Sequence, residues 1–145
     1  MTMQLGRGLG SYRIGMQRVV LDNLVRTIRQ PENDGPGCVG GFVQDSYVDV
    51  YAGLRLGYGF DGGKTYLDTV ATTRRGDRTS LGYAIGSATL AEVRARYPKV
   101  KLRRHPGGST LRLYYRTGYE SGTQLEYGFN AIGRLVRLQT GVSGC

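Results

Sequence analysis

The chain has no tryptophan, one histidine, two cysteines and only three lysines among its 145 residues. Each scarcity closes off some chemistry. The one histidine, His105, cannot alone complete a histidine pair or a Ser-His-Asp arrangement. It stands beside Pro106 and next to Arg103 and Arg104, and is read as a loop residue. There is no Cys-x-x-Cys, so neither a metal site nor another cofactor is expected. No apolar run approaches the roughly 18 residues that span a bilayer. The first ten residues lack the charged-then-apolar order of an export signal. Gly6-Arg7-Gly8-Leu9-Gly10 has the glycines of a phosphate loop, but not the preceding strand or the Gly-Lys-Ser/Thr ending. Residues 1–10 are therefore expected to form a flexible tail.

What is abundant is glycine, with 24 residues, tyrosine, with 11, and arginine, with 17. Glycine suits tight turns and tyrosine suits half-buried strands, so a β-rich chain is expected. The formal charge is +9, and it is uneven. Residues 1–72 hold seven basic and seven acidic side chains, whereas residues 73–145 hold thirteen and four. The whole excess lies in the second half, which points to an acidic partner, a polyanion or a membrane surface. Cys38 sits in Gly35-Pro36-Gly37-Cys38 and Cys145 is the last residue, so neither lies in an apolar run. A Cys38–Cys145 disulfide is expected, closing a loop of about 100 residues worth roughly 4–5 kcal/mol. Two unrelated thiols are the alternative.

Leu56-Gly57-Tyr58-Gly59-Phe60-Asp61 and Leu125-Glu126-Tyr127-Gly128-Phe129-Asn130 share the pattern Leu-x-Tyr-Gly-Phe-Asx. Upstream, Tyr12-Arg13-Ile14-Gly15 parallels Tyr83-Ala84-Ile85-Gly86 at nearly the same spacing. Each pair is followed by a helical stripe closed by proline: Val20, Leu24 and Ile28 before Pro31, and Leu90, Val93 and Tyr97 before Pro98. Alternating segments come next, with Leu54, Leu56, Tyr58 and Phe60 on one parity in the first half. The expected fold is α+β: two tandem repeats, each a helix followed by an antiparallel β-meander, sharing one continuous or paired sheet with helices on one face. Repeat 1 spans residues 11–72 and repeat 2 spans 80–140, with a linker at 73–79. On this pairing Tyr58 matches Tyr127 and Ile14 matches Ile85.

Ile14-Gly15-Met16 and Ile85-Gly86-Ser87-Ala88-Thr89-Leu90-Ala91-Glu92-Val93 resemble the Ile-x-x-Gly-Met-Thr-x-x-x-Val opening of helices in the β-lactamase-inhibitor-protein fold. They are also similar to those of BamE-type outer-membrane lipoproteins and of secreted actinobacterial proteins of uncharacterised function. The resemblance would cover residues 11–140. It implies the tandem helix-plus-sheet fold, an inhibitor-like binding role, and a location outside the cell or in its envelope, the signal being absent from this sequence. The cytoplasm is the alternative. The chain departs from the inhibitor pattern in lacking tryptophan and one disulfide per unit, so no binding residue is carried over.

The functional signal read from the residues themselves is basic and aromatic. Lys99, Lys101 and Arg103 alternate, as do Arg112, Tyr114 and Arg116, with Arg134 or Arg137 adding to them. Period 2 places each set on one face of a strand and turns Val100, Leu102, Leu111, Leu113 and Tyr115 inward. The expected function is non-enzymatic binding of an acidic protein surface through this open face, enzyme inhibition being one version. The alternative is a nucleic-acid or polyanion binder, including a basic toxin-type nuclease with His105 as its base. A solvated face kept polar for solubility is the third reading.

Overall fold

The computed structural model describes residues 1–24, 32–39, 42–51, 53–61, 63–116 and 122–143, with the backbone alone at 22–24, 32–39, 42–51, 60–61 and 143. The elements run β1 (Thr2–Gln4), β2 (Gly8–Leu9), β3 (Tyr12–Arg13), α1 (Arg18–Leu24), β4 (Glu32–Val39), β5 (Phe42–Tyr51), β6 (Leu54–Asp61), β7 (Lys64–Thr72), β8 (Arg78–Thr79), α2 (Leu90–Arg96), β9 (Leu102–His105), β10 (Gly108–Arg116), β11 (Gly122–Asn130) and β12 (Leu135–Ser143). Two sheets result. A large one has the order β4-β5-β6-β7-β12-β11-β10-β9, and a small one the order β3-β2-β1-β8.

The alternation of the strands decides which face is buried. Following the register across six strands gives Leu54, Thr72, Leu138, Tyr127, Leu111 and Leu102. The first five are at most 1% exposed and Leu102 packs against the same core. One residue along, the row reads Arg55, Ala71, Gln139, Glu126 and Arg112. A single hydrophobic face thus runs through these six strands, and the opposite face is polar.

The covering layer is mostly strand. β1 packs on β12 and β2 on β7, so the small sheet lies over the seam where β7 meets β12. Met3 and Leu9 are wholly buried there with Leu21 of α1 and Val93 of α2. Residues 1–10 are therefore no tail, and the expected linker 73–79 supplies β8, which pairs parallel with β1. Arg74 Nε and Thr72 Oγ1 donate to the buried Asp77 carboxylate, as does the Met1 amine. These bonds outweigh the burial that pushes the other way, and hold the Asp77 pKa below its ordinary value of 3.8. A depressed folded-state value means that the contribution is complete above 3.8 and is lost as pH falls through the lower folded value. Asp77→Asn is expected to cost about 1–3 kcal/mol at neutral pH and to flatten this acid limb in urea titrations from pH 2 to 6. An unchanged acid limb would show that another carboxylate controls it.

The expected helix-plus-sheet tandem repeat is corrected by these observations: the fold is mostly β. Among the described residues each helix has seven residues, and Val93 is the only residue of α2 that is buried. α1 ends at Leu24 within the described residues, whereas the expected helix ran to Arg29; residues 25–31 lie outside them. α2 does begin as a capped helix. Thr89 accepts from Glu92 N while its hydroxyl donates to Glu92 Oε1. But a two-turn helix cannot serve as a layer, so strands β1, β2, β3 and β8 take that place.

The two halves of the large sheet share a strand register, though not the one the motif suggests. A bulge follows Gly57 in the β6–β7 pairing and another follows Gly128 in the β11–β12 pairing. Matching the bulges pairs Tyr58 with Phe129 instead of with Tyr127. The same offset relates Gly15 to Gly86, whose N–H groups donate to Leu67 O and Leu135 O. A two-residue slip leaves every side chain on its own face, so the hydrophobic pattern cannot reveal it.

Tyr127 is the largest aromatic at the centre of the second half. Its ring lies 6.2 Å from Tyr83 and Tyr97 and 6.4 Å from Phe129. Its hydroxyl is buried and makes no hydrogen bond of good geometry among the described residues, with the side chains of Thr79 and Tyr97 as its polar neighbours. Burial, and after it the neighbouring Tyr97, pushes its ionisation well above the usual tyrosine value. Tyr127→Phe is expected to be neutral or to stabilise by up to about 1 kcal/mol, because it removes an unpaired polar atom without leaving a void. A loss above about 2 kcal/mol in urea unfolding would show that the hydroxyl has a partner.

Candidate functional site

The uncovered face of the large sheet is the candidate site. β10 supplies Arg112, Tyr114 and Arg116, all exposed, while Leu111 and Leu113 are buried behind them. β9 supplies Arg103, which stands opposite Thr110 in register; Thr110 in turn faces Gly128, and Gly128 faces Arg137. Gly128 matters here because it carries no side chain: a Cβ at that position would come within 3.2 Å of Arg137 Cβ. Arg137 can therefore lie across the strand and reach Glu126.

Glu126 is the acid at the centre of this basic face. Its carboxylate takes Arg112 Nη2 at 2.8 Å on one oxygen and Arg137 Nη1 at 3.1 Å on the other. Arg137 also donates to Gln139 Oε1. One carboxylate thus holds two guanidinium groups side by side and leaves a net positive pair. Lys101, Arg103, Thr110 and Arg112 surround a cavity of about 270 Å3 next to this arrangement. His105, the last residue of β9 and not a loop residue, reaches the rim, with Nε2 3.1 Å from Thr110 Oγ1. Further across the sheet, Asp68 is displaced at the β7 bulge near Gly57; burial raises its pKa, against an opposing hydrogen bond from Thr69.

Of the six residues singled out in the sequence, Lys101, Arg103 and Arg112 come together around the cavity. Tyr114 and Arg116 continue along β10 on the same face, and the Tyr114 ring occupies the space that a Cβ on Gly122 would take. Lys99 is exposed but lies in the turn before β9, so strand parity does not apply to it and it does not line the cavity. Tyr115, expected to turn inward, is 50% exposed. The reason is local: β9 pairs with β10 only as far as Leu111, so nothing flanks Tyr115 on that side among the described residues. Arg134 leaves the cluster to donate to Ser87 O, whereas Arg137 joins it. Glu126 and Thr110 were missed, because only cross-strand register brings them beside Arg112 and Arg103.

The expected Cys38–Cys145 disulfide falls outside what the structure describes: Cys145 lies outside the described residues and only the backbone of Cys38 is described, so no disulfide is found among the described residues. Among the described residues no three His, Cys, Asp or Glu side chains gather as a metal ion would need, and no helix is long and apolar enough to cross a membrane.

No family model, curated protein or solved structure matches the chain. Its function must be read from the sheet face itself.

Proposed function

We propose that the chain is a non-enzymatic binding protein and that the uncovered face of its large sheet engages an acidic protein surface. The observation that carries this reading is the convergence of Lys101, Arg103 and Arg112 on one cavity of that face. Arginine forks take carboxylates in two-point contacts, and aromatic and arginine residues dominate the binding energy of protein interfaces. Glu126 favours a protein over a polyanion. It stands in the middle of the basic patch, where a continuous run of phosphates would meet its charge, whereas discrete carboxylates can pair with Arg103 and Arg112 around it.

The test compares a Glu-rich peptide with a single-stranded oligonucleotide of equal charge. At about 0.15 M salt the peptide is expected to bind more tightly. Tighter binding of the oligonucleotide, with log K falling by about 0.7 per contacted phosphate against log salt, would replace this reading with the polyanion one.

A further inference from the structure

One side of β10 is only partly used. β11 pairs with all nine of its residues, but β9 pairs with Gly108–Leu111 alone. Arg112–Arg116 is therefore a sheet edge. The Pro106-Gly107 turn, with Gly107 at φ 83°, makes His105 and Gly108 the hydrogen-bonded pair that closes the hairpin. Alternation then aims the N–H and C=O groups of Arg112, Tyr114 and Arg116 at the empty side, and those of Leu113 and Tyr115 at β11. Of these, the Arg112 N–H is taken by Lys101 O, as the Leu102–Leu111 pairing requires, and no backbone hydrogen bond from elsewhere among the described residues meets Tyr114 or Arg116.

The edge at the other end of the sheet is guarded differently. β4 carries Pro36 between two glycines, and proline has no N–H to offer a new strand. The β10 edge is guarded by charge alone, with Lys101, Arg103, Arg112 and Arg116 exposed along it. Charge of one sign repels a second copy of the same edge and attracts a strand of opposite charge.

We propose that the Arg112–Arg116 edge of β10 accepts an extended acidic segment of a partner as an added strand. This rests on the acidic-partner reading and gives the partner a shape. The new strand bonds to the Arg112 carbonyl and to the backbone groups of Tyr114 and Arg116. Its alternate side chains are acidic where they share the face of Arg112 and Arg116, and apolar where they share the face of Tyr115, whose half-exposed ring they cover.

The probe is a short peptide alternating glutamate and valine, set beside the same peptide N-methylated at every second residue, which keeps its charge and blocks one backbone edge. The parent peptide is expected to slow amide hydrogen exchange at Tyr114 and Arg116 while leaving Leu113 and Tyr115 unchanged. The methylated peptide should bind about tenfold more weakly or worse. Tyr114→Pro, which removes one outward N–H, should weaken the parent peptide similarly; if that variant fails to fold, the methylated pair still decides. Equal affinity of the two peptides, or binding without protection of the Tyr114 and Arg116 amides, overturns strand addition and leaves the acidic-surface reading standing. So does binding of a Glu-rich peptide when the alternating one does not bind. Failure of every acidic peptide overturns both.

Discussion

Leu138→Ala is expected to lower the unfolding free energy by about 3–4 kcal/mol. Leu138 is wholly buried, and its register partners are Thr72 on β7 and Tyr127 on β11. It is thus the core residue of β12 that touches both halves of the large sheet. The alanine would leave a void between a backbone seam and an aromatic ring, and neither can close it without breaking strand register, so the cost falls in the upper part of the range for such truncations. Urea unfolding followed by circular dichroism measures it. A loss below about 1 kcal/mol would mean that the halves are stabilised independently and that the seam adds little.

The double charge reversal Arg103→Glu with Arg116→Glu is expected to weaken binding of an acidic partner by about 100-fold or more, equivalent to roughly 3 kcal/mol. Both residues are exposed on the uncovered face and neither takes part in the ion pairs of the described residues. Stability should therefore change by less than about 1 kcal/mol. Arg112 is the wrong choice for this test, although sequence alone recommends it together with Arg116. Reversing it would set a second carboxylate against Glu126, with Arg137 left to serve both, and would confuse folding with binding. Isothermal titration with a Glu-rich peptide, paired with thermal melts, separates the two. Unchanged affinity in a folded double variant would remove this face from consideration.

The face assignments of the second half were legible because alternation is a local property. Leu111 and Leu113 against Arg112, Tyr114 and Arg116 needed no knowledge of neighbours. The covering layer was not legible. Thr2–Gln4 and Gly8–Leu9 are too short to show a period, and their burial depends on Arg78–Thr79, which lies far along the chain. Met3 and Leu9 are therefore indistinguishable from tail residues until that pairing is known. Of the second helical stripe only Val93 is buried, and of the first, Val20 is exposed while Ile28 lies outside the described residues. Glu126 illustrates the same limit at the site: its parity was readable, but its place between Arg112 and Arg137 follows only from register.

The seam between β7 and β12 also orders events in time. It joins Thr69–Thr72 to Leu138–Gly141, whereas every other pairing in the large sheet links strands that are consecutive in the chain. Hairpins close quickly because little chain entropy is lost, and the seam must wait until the whole stretch from Thr72 to Leu138 has been made and brought back. During synthesis β7, paired with β6 on one side, therefore keeps its other edge open until β12 has left the ribosome. The nascent chain is thus most exposed to mispairing at the place where the finished protein is most enclosed.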